Sequence, residues 1–151
     1  MKTVSYTLEI NPEGVEPVLT ADQVWKGLEM KANNALPFVP GMSRCDVISR
    51  SDNGLSRQIT LPTGDYEERI TFFPPVQVQF GRVGSDGFIQ NTISESEKGL
   101  WLTFTFSIPF AGALEGSDEE LVLIDEMRSS YIAAVVSTLK KVRDLVRDGK
   151  L

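Results

Sequence analysis

Residues 55–82 read LSRQITLPTGDYEERITFFPPVQVQFGR. Apolar and polar residues alternate through three runs, broken at Pro62–Asp65 and again at Pro74-Pro75. A period of two marks strands, and the breaks are turn chemistry, so the stretch predicts two successive antiparallel hairpins. Pairing Leu61 with Tyr66 around the first turn sets Ile59 opposite Glu68 and Arg57 opposite Ile70. Pairing Phe72 with Val76 across the double proline sets Glu68 opposite Phe80 and Tyr66 opposite Arg82. One face then carries Leu55, Ile59, Ile70, Phe72, Val78 and Phe80, interrupted by Arg57, Glu68, Arg82 and the Tyr66 hydroxyl. The other face, with Ser56, Gln58, Glu67, Arg69, Gln77 and Gln79, is wet.

The same alternation extends outward. It predicts strands over 2–10, 43–51, 55–62, 65–73, 76–83, 88–95 and 99–108, separated by Asp52-Asn53-Gly54, Gly84-Ser85-Asp86-Gly87 and Glu97-Lys98-Gly99 besides the two turns above. Two segments change period. Thr20-x-x-Gln23 is a capping-box pattern that opens a helix of about 13 residues, with Val24, Trp25, Leu28, Ala32 and Ala35 on one face. Leu36–Gly41 is too rich in proline to extend it by more than a turn. Ser117-x-x-Glu120 opens the longest periodic run, about 118–148, with Leu121, Ile124, Met127, Tyr131, Val135, Leu139, Val142 and Leu145 spaced by three or four along its inner stripe. Acidic residues gather at the start of this helix and basic ones at its end, which suits the helix dipole. Strand, helix, six strands and a long helix make an α+β domain over residues 1–151. Its seven-stranded antiparallel sheet must curl around the C-terminal helix to bury both apolar faces.

Composition narrows the chemistry. The chain has 151 residues with 15 Lys plus Arg against 21 Asp plus Glu, a net charge of −6 that argues against nucleic-acid binding through phosphates. It has no histidine and one cysteine. Imidazole-based triads, imidazole or thiolate metal clusters and internal disulfides are therefore excluded, and any chemistry falls to carboxylates, Arg, Lys, Tyr, hydroxyls or backbone. The opening residues show no leader pattern and no apolar run is long enough to span a bilayer, so a cytoplasmic protein is expected. Cys45 shares a strand phase with Val47 and reads as an inert thiol. Trp101 falls on the phase opposite Leu100, Leu102, Phe104 and Phe106 and so faces outward.

Three stretches carry a resemblance. They are Ala35-Leu36-Pro37-Phe38-Val39-Pro40-Gly41, then Glu67 to Phe80 across the second hairpin, then Gly99-Leu100-Trp101-Leu102-Thr103-Phe104-Thr105-Phe106. With the order of elements, they resemble the helix-grip superfamily, also called START-like or SRPBCC, which includes polyketide cyclases. Within it the chain is most similar to the AtaL-like family, over essentially its whole length. The resemblance implies a deep, mostly apolar cavity between sheet and long helix with a hydrophobic small molecule inside. It implies no cofactor and fixes no reaction. A cyclase- or isomerase-like enzyme of secondary metabolism, a non-catalytic carrier and a co-chaperone-like interaction module all remain open, as does the oligomeric state.

The candidate ligand contacts follow from the inner phases. Phe72, Phe80, Phe104 and Met127 supply apolar wall. Arg57, Glu68 and Arg82 are either a structural ion pair or a polar patch for a carbonyl or carboxylate. Glu68 is expected to pair with Arg82, with Arg57 close by. An arginine is the better group to stabilise an enolate, and a tyrosine the better proton donor. Tyr6 in the first strand and Tyr131 in the long helix lie on inner phases, as core aromatics or as hydrogen-bonding groups of the cavity. Strand 88–95 can face inward with Phe88, Gln90 and Thr92 or with Ile89, Asn91 and Ile93. The second phase is preferred, and it sets the Asn91 amide among apolar neighbours.

Overall fold

A computed structural model describes residues 2–109 and 112–151. The strands are β1 (Lys2–Glu9), β2 (Arg44–Ser51), β3 (Gly54–Leu61), β4 (Gly64–Phe73), β5 (Gln77–Arg82), β6 (Phe88–Ser96) and β7 (Gly99–Ile108). The helices are α1 (Ala21–Asn33) and α2 (Asp118–Arg147). The sheet order is β1-β7-β6-β5-β4-β3-β2, an antiparallel meander from β2 to β7 with β1 added beside β7. Both helices lie on one face of it: α1 runs against β5 and β6, and α2 against α1 and β1. This is the helix-grip arrangement that the alternation and the resemblance predict.

Every expected element is present, with ends displaced by one or two residues. Register is where sequence and structure part. Leu61 pairs with Gly64, not Tyr66, so Arg57 faces Glu68 and Ile59 faces Tyr66. The first turn is two residues long because Gly64, at φ 138°, reverses the chain at once. At the second hairpin Phe72 pairs with Val78, not Val76, and Glu68 with Arg82. Two prolines without N–H groups lengthen that turn, which closes from the Val76 amide to the Phe73 carbonyl at 3.1 Å. Both slips are by an even number, so every side chain keeps its face while the cross-strand neighbours change.

The helix ends behave locally. Thr20 accepts from the Gln23 amide at 3.1 Å and Gln23 accepts from the Thr20 amide at 2.9 Å, a complete capping box. At α2 only half the expected box forms. Ser117 accepts from the Glu120 amide at 3.2 Å, but the Glu120 carboxylate reaches one residue further back, to the Gly116 amide at 3.1 Å. Leu36–Gly41 forms a single turn in which the Phe38 and Val39 amides both donate to the Ala35 carbonyl.

Two features bring α2 onto the rest. Arg143, buried on its inner stripe, donates from Nη2 to the Ile10 carbonyl just past β1. Gly27 of α1 lies directly against Val142: a Cβ at position 27 would stand 2.4 Å from Val142 Cγ2. The packing of α2 is uneven. Val135, Thr138, Leu139, Val142, Arg143 and Leu145 are buried in its second half, whereas Glu120 and Ile124 alone are buried in its first. Gly27→Ala should therefore cost about 1–3 kcal/mol in urea denaturation by overpacking the helix crossing. Adding Val142→Ala should recover part of that loss.

Candidate functional site

The inner face of β3, β4, β5 and β6, together with the end of α1, builds a buried polar cluster. Arg57 on β3 is its centre. Its Nε and Nη2 both donate to Glu68 Oε1, at 2.9 and 2.8 Å. Its Nη1 donates to the carbonyls of Lys31 and Ala32, both at 2.9 Å, in the last turn of α1. The guanidinium thus satisfies two of the carbonyls that a helix leaves unpaired at its C-terminus. Arg57 is 3% exposed and Glu68 5%, so the pair is dry. The expected partner of Glu68, Arg82, is its cross-strand neighbour but does not form the ion pair. It lays its guanidinium 3.8 Å from the centre of the Tyr66 ring, whose hydroxyl lies 3.0 Å from Thr63 Oγ1. The corrected register explains this: Arg57 and Arg82 flank Glu68 on either side, and only Arg57 has helix carbonyls to hold it in place.

Lys31 completes the cluster, and the stripe of α1 as read from sequence omits it. It is 8% exposed and donates to Asn91 Oδ1 at 3.3 Å. Its ammonium and the Arg57 guanidinium both lie over the Phe80 ring, at 5.8 and 5.4 Å from the centroid. Among the described residues no carboxylate lies within ion-pair distance of it. Burial, with the Arg57 charge second and Glu68 opposing, pushes the Lys31 ammonium down to about 8. The signal was present: position 31 is three residues after Leu28, on the inward face of α1.

The other candidates take these places. Asn91, 2% exposed, and Ile93 face inward, which fixes the phase of β6. Phe80 and Phe104 are buried, Phe72 packs edge-on to Trp25 at 6.3 Å, and Met127 is partly buried against the core. Tyr131 stacks on Phe106 at 4.3 Å, and Phe106 stacks on Phe104 at 6.2 Å. Burial holds the Tyr131 phenol well above its ordinary range; Arg82 opposes this, while Glu68 and Tyr66 add to it. Tyr131 therefore keeps its proton near neutral pH, which leaves its hydroxyl a hydrogen-bond donor and a weak acid. Tyr6 keeps the inner phase, 5.9 Å from Phe104, but on edge strand β1 it is 40% exposed and is not a core aromatic. Cys45 accepts weakly from the Ala35 amide at 3.4 Å and from Arg57 at 3.7 Å. Trp101 lies on the outer phase, with its Nε1 donating to Ser96 Oγ.

The space enclosed beside this cluster is small. A void of about 10 Å³ is lined by Glu68, Phe80, Arg82, Gly87, Phe88, Ile89 and Ile108. That holds about one water molecule. Phe106 links the sheet residue Phe104 to Tyr131 of α2 in a stacked column, and Met127 packs against the same core.

The model of one family, described as acetylaranotin biosynthesis cluster protein L (AtaL), matches residues 4–149. The chain belongs to this AtaL family. No curated protein sequence matches it. Among solved structures it is similar to the Zhui aromatase/cyclase from Streptomyces sp. R1128, with 15% identity and a TM-score of 0.69 over 96% of this chain and 95% of that one. It is similar to the di-domain ARO/CYC StfQ from the steffimycin biosynthetic pathway, with 13% identity and a TM-score of 0.69 over 97% of this chain and 50% of that one. It is also similar to the Aha1 dimer from Colwellia psychrerythraea, with 12% identity and a TM-score of 0.59, covering 95% and 97%. At these identities the likeness establishes the fold that the AtaL member shares with them.

Removing Glu68 would leave the Arg57 charge buried without its carboxylate. Glu68→Ala should cost about 3–5 kcal/mol in urea denaturation, and Arg57→Met with Glu68→Leu should cost less than the single change. A loss from Glu68→Ala below about 0.5 kcal/mol would mean that water, not burial, surrounds the pair.

Proposed function

We propose that the protein binds an oxygen-bearing hydrophobic small molecule, of polyketide type, between the inner sheet face and the first half of α2, and acts on it as a cyclase-like biosynthetic enzyme. The observation that carries this reading is the composition of the buried cluster. Two basic residues, Lys31 and Arg57, lie beside one carboxylate, Glu68, inside an apolar core, and only Arg57 is paired with it. Burying a charge without a counter-charge is costly, and a core built for packing alone has no reason to hold one. A ligand oxygen that carries or develops negative charge, such as a carbonyl on its way to an enolate, would find its complement there. The AtaL family's description as a biosynthesis cluster protein, and the similarity to the Zhui aromatase/cyclase and the di-domain ARO/CYC StfQ, support such a role.

Each residue then has a task. Arg57 and Glu68 fix α1 to the sheet and keep the polar floor rigid. Lys31 and Arg82 receive oxygens, Phe72, Phe80, Phe104 and Met127 cover the carbon skeleton, and Tyr131 donates a hydrogen bond or a proton from above. The ligand enters by displacing Met127 and Tyr131, and the weakly buried first half of α2 is the part that yields. A second reading, an interaction module with a filled interior, is favoured by the same small void.

An anilinonaphthalene dye separates the two. The enzyme reading expects the folded protein to bind it with micromolar affinity or better. A native-state dye signal no greater than that of a ligand-free globular control supports the interaction module instead. Tyr131→Phe should leave stability nearly unchanged and weaken a carbonyl-bearing ligand by about 0.5–1.5 kcal/mol, read by calorimetry. Loss of turnover with binding intact would make Tyr131 the proton donor, whereas turnover by neither protein of any bound polyketide would leave a carrier.

A further inference from the structure

The surroundings of Lys31 differ from those of a lysine kept for packing or pairing. Its Nζ sits inside the core over the face of Phe80, beside a guanidinium that repels its charge, and its hydrogen-bond partner is the neutral amide of Asn91. The nearby carboxylate, Glu68, has both of its arginine bonds on Oε1 and lies beyond ion-pair distance of Nζ. An amide oxygen can accept an N–H from a neutral amine as well as from an ammonium, and it stabilises the ammonium far less than a carboxylate would, so Asn91 positions the nitrogen while holding its proton only weakly. A carboxylate at the same place would hold it. We infer that Lys31 is an amine nucleophile that forms an imine with a ketone of the bound ligand.

The step is balanced without any further reagent. The neutral amine adds to the carbonyl carbon, the C–O bond breaks, and the oxygen leaves with two protons as water while the C=N bond forms. Protonated, that imine draws electrons from the adjacent carbon, which is the activation an intramolecular carbon–carbon closure of a polyketone requires. The lowering of the Lys31 ammonium to about 8 agrees with this role, since it leaves a substantial share of free amine near neutral pH. This inference rests on the cyclase-like reading of the same pocket and names the substrate class as ketones.

The test uses the whole protein and 2,4-pentanedione, a diketone whose imine rests as a stable vinylogous amide. Intact and peptide mass spectrometry at pH 7.5 should find the mass of the diketone less one water on Lys31. Modification there should run about tenfold or more faster than on Lys2, Lys26, Lys98, Lys140, Lys141 or Lys150. Asn91→Asp, nearly the same size, should slow Lys31 about tenfold or more at that pH and recover at high pH, with circular dichroism unchanged. Lys31→Met should show only the slow surface reactions. If the diketone displaces the bound dye but Lys31 reacts no faster than the surface lysines, the imine inference is overturned and the pocket stands. If the diketone neither displaces dye nor modifies Lys31, both fall. A rate on Lys31 that is unchanged by Asn91→Asp overturns the role given to the amide.

Discussion

One guanidinium joins the two parts of the molecule that matter for function. Arg57 grips Glu68 across the β3–β4 pair and, with its remaining nitrogen, the last carbonyls of α1. Lys31–Asn91 and Arg50–Asn33 side-chain bonds also link α1 to the sheet, and the rest of the contact is apolar, which sets distance but little else. Hydrogen bonds from a planar, permanently charged group also set orientation. With that contact fixed, α1 presents Lys31 to the inner face, and Gly27 lets α2 close onto α1 at Val142.

The same contact creates the charge imbalance. Glu68 pairs with Arg57 through Oε1 and lies beyond ion-pair distance of Lys31, so Lys31 is left with Asn91, and a buried surplus of positive charge stands on the inner face. Tyr131, stacked on Phe106, and Met127 belong to the half of α2 with few buried residues. A rigid polar floor and a loosely held roof are what a domain needs if it admits a shaped apolar molecule and directs one oxygen of it. The well-buried second half of α2, anchored by Arg143 at Ile10, gives the roof a fixed end from which to yield.

Much of this was legible in the sequence because alternation decides which face each strand residue occupies. Arg57, Glu68 and Arg82 fall on the inner face by parity alone, whereas Asn91 does so only on the preferred one of two open phases, and an even register slip leaves parity intact. Their partners were not legible for the same reason. The slip by two moved Arg57 opposite Glu68 and Ile70 opposite Phe80, and it depended on turn lengths set by Gly64 and the double proline. Lys31 was overlooked because hydrophobicity, not helical position, defined the apolar stripe of α1. Arg143 was overlooked likewise, one residue beyond Val142. Tyr6 kept its phase but not its burial, because the alternation of a strand does not say that it lies at the sheet's edge. The stacking of Phe104, Phe106 and Tyr131 is likewise a matter of packing that no residue pattern records.

The central claim is that Arg57 monopolises the one nearby carboxylate and leaves a buried amine without a counter-charge. The most direct measurement is an NMR titration of the Lys31 side-chain amine in the intact protein, assigned by its loss in Lys31→Met. The account predicts a midpoint near 8, far below the ordinary lysine value of 10.5. A midpoint at or above 10.5 would mean that a carboxylate or water stabilises the ammonium, and would contradict it.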